Sequence, residues 1–172
     1  MYMCEGKTVK KFDLSLYFIT DSTPYAEEEF LDRVEKALQG GATLLQLREK
    51  EKSTREYIAL AQKVHSIAQR YRVPLIIDDR VDVALAIDAE GVHVGASDMP
   101  VALARKLMGE DKIVGATAKT VPWAKDACAQ GADYLGVGAI YPTTTCLLYT
   151  STSTAPYFLA AARMVFTKFL PA

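Results

Sequence analysis

The chain alternates short apolar runs with segments of helical character, and this alternation limits its fold more than any other feature. Six runs have the length and composition of buried strands, at residues 16–20, 43–47, 74–77, 91–94, 113–116 and 134–137. Successive runs begin roughly 20–30 residues apart, which is the length of one strand, one helix and two short turns. Apolar strands with helices between them predict a parallel sheet that is covered by helices.

Helix start and stop signals support this interpretation. Thr23 and Pro24 supply an N-cap and a first-turn proline for the first helix, and Gly40 ends it. Ser53 and Glu56 form a capping box at the start of the second helix. Further helices are predicted at residues 81–87, 101–108 and 122–130.

Two α/β architectures fit the series equally well. A (β/α)8 barrel and an open doubly wound sheet share the same period, so the spacing alone does not separate them. No Gly-x-Gly-x-x-Gly pattern follows the first strand, which argues against the dinucleotide-binding version.

Composition narrows the class of partner. The 172 residues suit one domain, and a net charge of −1 offers nothing that points to nucleic acid or an anionic membrane. No apolar run is long enough to span a bilayer. The three cysteines form no Cys-x-x-Cys pair, so we expect reduced thiols and a cytoplasmic protein. The expected partners are small molecules, and the oligomeric state is not readable from the sequence.

Charged residues follow the predicted strands where the βα loops begin, which is where active residues gather in either architecture. Arg48 and Lys50 follow the second strand and suit a phosphate or diphosphate, or else form a solvated loop. Asp79 ends the third strand and Asp98 follows the fourth. Such carboxylates suit Mg²⁺, although Asp98 precedes a Met-Pro pair and would equally make a helix N-cap.

Hydroxyl groups follow the fifth and sixth strands. Thr117 ends the fifth strand, and Thr143 and Thr145 lie in the loop after the sixth. Threonine hydroxyls and backbone N–H groups there can hold a phosphate, and a simple polar loop is the alternative. His65 and His93 are expected to be packed or surface histidines rather than bases.

Several sequence blocks occur together in one order. They are Gln-Leu-Arg-Glu-Lys at residues 46–50, Asp-Asp-Arg-Val-Asp at 78–82, Gly-Val-His-Val-Gly at 91–95, Gly-Ala-Asp-Tyr-Leu-Gly-Val-Gly at 131–138 and Tyr-Pro-Thr at 141–143. From residue 16 to residue 145 the chain resembles the thiamine phosphate synthases. The resemblance implies a (β/α)8 barrel of which about six of the eight βα units are present.

The resemblance also implies a role for each charged candidate. Gln46, Arg48 and Lys50 match the block that binds a pyrimidine diphosphate, with the arginine and the lysine acting on the leaving group. Asp78 stands at a pyrimidine-contacting position where Asn is commoner. Asp79 and Asp98 match the Mg²⁺ ligands, and in the same way Thr117 matches a substrate-binding serine.

The implied reaction joins hydroxymethylpyrimidine diphosphate to hydroxyethylthiazole phosphate and releases diphosphate, in thiamine biosynthesis. Thr143 and Thr145 match the residues that hold the thiazole phosphate. The related thiazole tautomerase, which shares the barrel, is the nearest enzymatic alternative. A fragment that only binds phosphorylated ligands is an alternative of another class.

The resemblance stops after Thr145. Cys146 stands where the family has Lys, and Ala96 stands where it often has Gln two residues before Asp98. Residues 146–172 contain no Gly, Asp or Glu. We therefore expect a partial synthase domain at residues 1–145, and an unrelated tail at 146–172 that arose from an interrupted or misassembled reading frame. The chain as it stands is expected to be impaired or inactive.

Overall fold

The computed structural model describes residues 2–4 and 12–137 of the chain. Its strands are β1 (Tyr2–Met3), β2 (Tyr17–Ile19), β3 (Leu44–Leu47), β4 (Leu75–Asp78), β5 (Gly91–Val94), β6 (Ile113–Ala118) and β7 (Tyr134–Val137). Its helices are α1 (Glu27–Gln39), α2 (Thr54–Tyr71), α3 (Val81–Ala86), α4 (Val101–Met108) and α5 (Val121–Ala129). All six predicted strands are therefore present, within two residues of the predicted ends.

The strand order decides between the two architectures. The sheet runs β1-β7-β6-β5-β4-β3-β2, and every pair from β2 to β7 is parallel. Each strand therefore lies beside the next one in the chain. A doubly wound sheet would reverse its order at a switch point, whereas a barrel adds its strands in sequence. The six parallel strands form a curled half-barrel.

Both faces of the central strands β3, β4 and β5 are buried, which explains why these strands are largely apolar. Alternate residues such as Leu45, Ile77 and Val92 pack against the helices in the larger core cluster. The residues between them face the barrel interior, where a second cluster forms around Ile76 and Tyr134. Because side chains alternate along a strand, every second residue towards the strand ends points into the same interior.

The helix boundaries follow the sequence signals with one exception. Ser53 and Glu56 form the predicted capping box, with each backbone N–H bonded to the other residue's side chain. The predicted start of α1 at Thr23 is wrong, because the helix begins after Ala26 without a side-chain cap. A turn in which the Tyr25 N–H donates to the Ser22 carbonyl at 3.1 Å occupies the intervening residues.

The N-terminal segment differs from the sequence-based expectation. β1 pairs antiparallel with β7, and Cys4 and Cys128 form a disulfide across 124 residues of sequence. The expectation of reduced cysteines is therefore wrong for this pair. Cysteine spacing indicates a pair only when the two residues are close in sequence. Cys4 and Cys128 are distant in sequence, and the pairing of β1 with β7 brings Cys4 beside the end of α5.

A buried ion pair joins α4 to the amino-terminal end of β7. The Arg105 guanidinium donates to an Asp133 carboxylate oxygen at 2.5 Å, and that oxygen also accepts the Val114 N–H at 2.8 Å. Arg105 further donates to the carbonyl oxygens of Gly109 and Gly131. This cluster lies at the end of β6 and β7 opposite to their carboxyl ends. No helix in the described part of the chain has the length and apolar character to cross a membrane.

Candidate functional site

Seven of the predicted site residues meet at the carboxyl ends of β3 to β6, and we call this group the mouth cluster. Gln46 and Asp78 lie on the strands themselves, on the face that points into the barrel. The other five members lie in the adjoining loops and on β6, and they are Arg48, Lys50, Asp79, Asp98 and Thr117. The carboxyl ends of parallel strands share one edge of a sheet, so residues far apart in sequence come together there.

Asp78 lies between the two predicted cations. One of its carboxylate oxygens is 3.2 Å from the Lys50 ammonium and 3.6 Å from the Arg48 Nε. Burial, and then the charge of neighbouring Asp79, raise the pKa of Asp78 to about 6, while Lys50 and Arg48 act in the opposite direction. Both cations are half-exposed, with about half of each side chain reaching solvent at the mouth.

Asp79 has a backbone conformation that few residues other than glycine adopt. Its φ is +62°, in the left-handed region, and its N–H donates to the His93 carbonyl of β5 at 2.8 Å. This turn sends the Asp79 side chain away from the strand, where it pairs with the Lys50 ammonium. Aspartate adopts this conformation more readily than most residues that carry a side chain.

Asp98 is held at the mouth by a glycine turn and not by a helix terminus. Its carboxylate accepts the Gly95 N–H at 2.8 Å. The alternative of an N-cap is wrong, because α4 begins after Pro100 and has no side-chain cap. Burial, and then a hydrogen bond and the charge of Asp79, raise the pKa of Asp98. The two predicted metal ligands are therefore close enough for the charge of Asp79 to affect the pKa of Asp98.

Gln46 brings a buried amide to the interior side of the mouth. The residue is 3% exposed, and its side-chain Nε2 has no hydrogen-bond partner among the described residues. A buried donor without a partner normally costs about 1–3 kcal/mol, so such groups in native proteins call for an explanation. Thr20 fixes the strand end here, because its N–H donates to the Gln46 carbonyl and its hydroxyl accepts the Arg48 N–H.

Sequence comparison agrees with this geometry. The family profile described as thiamine monophosphate synthase matches residues 16–153. The chain belongs to this family.

Individual members of the thiamine monophosphate synthase family are close to the chain in sequence. It is 53% identical over 137 residues to the thiamine-phosphate synthase of Methanobrevibacter smithii, covering 80% of this chain and 65% of that protein. It is 55% identical over 132 residues to the thiamine-phosphate synthase of Enterococcus faecalis, covering 77% and 63%. The chain thus spans less than two thirds of the length of these relatives.

Solved structures agree with the assignment to the thiamine monophosphate synthase family. The thiamine phosphate pyrophosphorylase of Pyrococcus furiosus superposes with a TM-score of 0.68 at 41% identity, over 74% of this chain and 61% of that one. A putative phosphonomutase from Burkholderia cenocepacia gives a TM-score of 0.59 at 14% identity, which is a likeness of fold alone.

Part of the prediction concerns residues that the structure does not describe. Thr143 and Thr145 lie outside the described residues, as does the proposed tail at 146–172. Among the described residues, no group of three or more His, Cys, Asp or Glu side chains is arranged to hold a metal ion. A divalent cation at the mouth would therefore have at most two such ligands from the described residues, and its other ligands would be further oxygen atoms.

Some members of the site were missed by sequence reasoning. His93, expected to be a packed histidine, is indeed buried, but its Nε2 contacts the Thr117 hydroxyl at 2.9 Å. Its Nδ1 contacts the Tyr134 hydroxyl at 3.1 Å. The period-two alternation of β5 and β7 could have placed both side chains in the barrel interior. Glu49 was also missed; its buried carboxylate accepts the Ser22 hydroxyl hydrogen at 2.7 Å.

Proposed function

We propose that the chain carries the diphosphate-binding part of a thiamine phosphate synthase active site. The complete enzyme would join hydroxymethylpyrimidine diphosphate to hydroxyethylthiazole phosphate and release diphosphate. The observation that carries this proposal is the mouth cluster, in which two cations and three carboxylates meet at one edge of a half-barrel. Membership of the family supports the same reaction.

The cations suit a departing diphosphate. In the substitution, the bond from the exocyclic methylene carbon to the diphosphate oxygen breaks, and its electron pair leaves with the diphosphate. The thiazole nitrogen then supplies the pair that forms the new carbon–nitrogen bond. Arg48 and Lys50 lie where they can meet the charge that grows on the leaving group, an effect that typically contributes several kcal/mol. No side-chain nucleophile is needed.

The two aspartates suit Mg²⁺. Mg²⁺ binds through one or two carboxylates together with substrate phosphate oxygens, and it neutralises charge on those oxygens. Asp79 and Asp98 present two neighbouring carboxyl groups. Burial raises the pKa of Asp98 first, and hydrogen bonding and charge repulsion from Asp79 raise it further. A divalent cation between them would relieve that repulsion. We propose these two residues as its protein ligands.

The buried amide suits the pyrimidine. Gln46 Nε2 is a desolvated donor without a protein partner in the described residues, so a bound acceptor would remove the cost of leaving it unpaired. We propose that it contacts the pyrimidine diphosphate together with Asp78. Thr117 is proposed to bind the same substrate, and Thr143 and Thr145 the thiazole phosphate.

We further propose that the partial domain ends near Thr145 and that residues 146–172 do not belong to it. The support is compositional, because glycine and acidic residues stop before this segment. The profile match ends at residue 153, a little beyond the proposed boundary. A genuine divergent C-terminus is the alternative. A cytoplasmic location stays a prediction.

The experiment measures Mg²⁺-dependent diphosphate release from the two substrates. It compares the chain as it stands with a version in which residues 146–172 are replaced by the C-terminal strands of a relative. We expect release from the second version only. In that version, Arg48→Ala should lower kcat more than it raises KM for the thiazole, because the charge grows in the transition state. Arg33→Ala is the control, since Arg33 pairs with Glu29 on the exposed face of α1.

Two results would contradict the proposal. Thiazole isomerisation without diphosphate release would indicate the tautomerase alternative, which has no diphosphate to ionise. Diphosphate binding without release in the completed version would indicate a ligand-binding protein. If the chain as it stands were fully active, the proposed boundary at Thr145 would be wrong.

A further inference from the structure

A line of four hydrogen-bonding side chains crosses the interior of the half-barrel beneath the mouth cluster. The Tyr17 and Tyr134 hydroxyl oxygens are 2.7 Å apart, and the Tyr134 hydroxyl lies 3.1 Å from His93 Nδ1. His93 Nε2 then lies 2.9 Å from the Thr117 hydroxyl. The line joins β2, β7, β5 and β6, and it ends on a residue of the mouth cluster. We call it the interior relay.

Two glycines make the room for this arrangement. A Cβ at Gly115 would overlap the Tyr134 ring and come within 2.6 Å of His93 Nδ1. A Cβ at Gly136 would lie 3.2 Å from His93 Cε1. Real Cβ atoms do not approach ring atoms as closely as the Gly115 values, so the contact between His93 and Tyr134 depends on glycine at that position.

The imidazole in the relay is enclosed by hydroxyl groups. His93 is 8% exposed, and its ring nitrogens face the Tyr134 and Thr117 hydroxyls, neither of which is a carboxylate that would stabilise an imidazolium. A buried imidazole with such partners is in its neutral form. A neutral imidazole has one N–H donor and one acceptor nitrogen, and the hydrogen bond at one nitrogen determines the proton at the other. The two neighbours of His93 therefore cannot both donate to it.

The acidities of the Tyr134 and Thr117 hydroxyls determine which groups donate hydrogen bonds along the relay, and we call this order of donation the direction of the relay. A phenol is a stronger acid than an aliphatic alcohol and hence a better donor to an imidazole nitrogen. Tyr134 keeps its single hydroxyl hydrogen, because burial raises its pKa. The Tyr17 hydroxyl, 2.7 Å away, can donate to the Tyr134 oxygen and so leave that hydrogen for His93. The favoured arrangement has Tyr134 donating to His93 Nδ1 and His93 Nε2–H donating to Thr117.

We propose that His93 and Tyr134 are positioning residues, which orient the Thr117 hydroxyl so that its hydrogen points away from His93 and is donated to an anionic oxygen bound at the mouth. The reverse direction would make the Thr117 hydroxyl donate to His93 and present only lone pairs to the ligand, which would repel a phosphate oxygen. The identity of that oxygen rests on the proposed function, whereas the direction of the relay does not.

The direction is measurable in the full 172-residue chain, labelled with ¹⁵N at histidine. The chain has two histidines, so a His65→Gln variant assigns both sets of signals. At neutral pH we expect His93 to be protonated at Nε2, with an acceptor-type ¹⁵N shift at Nδ1. Protonation at Nδ1, or of both nitrogens, would overturn the proposal.

Variants test whether Tyr134 sets the tautomer. Tyr134→Phe removes the donor to Nδ1, and we expect a measurable share of His93 to move its proton to that nitrogen. Tyr57→Phe is the matched control, because Tyr57 is equally buried but donates to the Leu47 carbonyl at 2.7 Å. An unchanged His93 tautomer in a folded Tyr134→Phe chain would overturn the relay.

A second variant pair serves if circular dichroism shows that Tyr134→Phe does not fold. Thr117→Val removes the acceptor for the Nε2–H while keeping the shape of the side chain, and Thr117→Ser restores it. We expect the His93 Nε2 signal to shift in the valine variant and to return in the serine variant. Identical signals in both would overturn the proposal.

Calorimetric titration with inorganic diphosphate and Mg²⁺ tests the donated hydrogen bond. We expect Tyr134→Phe and Thr117→Val to weaken binding by about tenfold, and Thr117→Ser to bind as the unaltered chain does. Equal affinity in all variants would refute the donor role. An unaltered chain that fails to bind diphosphate would count against the proposed function, while the tautomer would still decide the direction of the relay.

Discussion

Replacing Arg105 by alanine tests how much the buried ion pair at the amino-terminal ends of β6 and β7 contributes to the stability of the fold. Arg105 is 7% exposed. Its guanidinium donates to the carbonyl oxygens of Gly131, Gly109 and Lys112 at 3.0, 2.7 and 2.7 Å. Its fourth hydrogen bond, of 2.5 Å, is donated to the Asp133 carboxylate, which also accepts the N–H of Val114 in β6.

The magnitude follows from the burial of the pair. Removing one partner of a buried ion pair costs about 3–5 kcal/mol, because the remaining charge keeps its desolvation cost. Asp133 retains the Val114 N–H at 2.8 Å, which places the expected loss towards the lower end of that range. Domains of this size unfold with a free energy of about 5–15 kcal/mol, so the loss removes a large fraction of the stability.

Urea unfolding followed by circular dichroism measures this loss. With a slope of about 2 kcal/mol per molar urea, the midpoint should fall by about 1.5–2 M in Arg105→Ala. Arg33→Ala is the matched control, since its pair with Glu29 has a similar length of 2.9 Å but lies on the surface. Exposed pairs contribute little, so its midpoint should barely move. Equal midpoints for the two variants would refute the idea that the Arg105 cluster stabilises the fold.

Three further predictions concern the site and the N-terminal segment. In the version completed with C-terminal strands, Asp79→Ala should lower kcat/KM at least tenfold, about 1.4 kcal/mol, and full activity at low Mg²⁺ would remove Asp79 from the metal site. Gly95→Ala should weaken Mg²⁺ binding in a calorimetric titration, because its Cβ would lie 2.6 Å from the Asp98 carboxylate; Gly40→Ala, whose nearest contact would be 3.3 Å, should bind normally. Dithiothreitol should lower the free energy of unfolding by about 2–4 kcal/mol, because it opens a disulfide that joins residues with a sequence separation of 124. A Cys4→Ser variant lacks this disulfide, so dithiothreitol should not change its free energy of unfolding.

Much of the fold was predictable because secondary structure depends on near neighbours. The apolar periodicity located all six parallel strands, and the local residues of a capping box located the start of α2. Several polar residues of the candidate site were also predictable, because Arg48, Lys50 and Asp79 follow directly after strands whose carboxyl ends share one edge. Gln46 and Asp78 lie within the strands, and only the family resemblance implied a role for them.

Other features depended on contacts between residues that are distant in sequence. Asp98 was compatible with both a helix cap and a mouth ligand, and only the fold of its loop onto Gly95 and Asp79 separated the two. His93 was expected to be a simple packed residue. Its partners Tyr134 and Thr117 lie 41 and 24 residues away, and the alternation within β5 does not specify what its side chain meets.

The sequence by itself therefore determined the order and type of the elements, the family and the chemical character of the mouth. The tertiary structure decided that the strands lie in sequential order as a half-barrel, that Cys4 meets Cys128, and that the interior relay ends on Thr117. The physical reason is the range of the interactions. Helix caps and strand periodicity involve residues a few positions apart, whereas strand order, disulfide pairing and interior hydrogen bonds exist only once the sheet has curled and brought distant strands together.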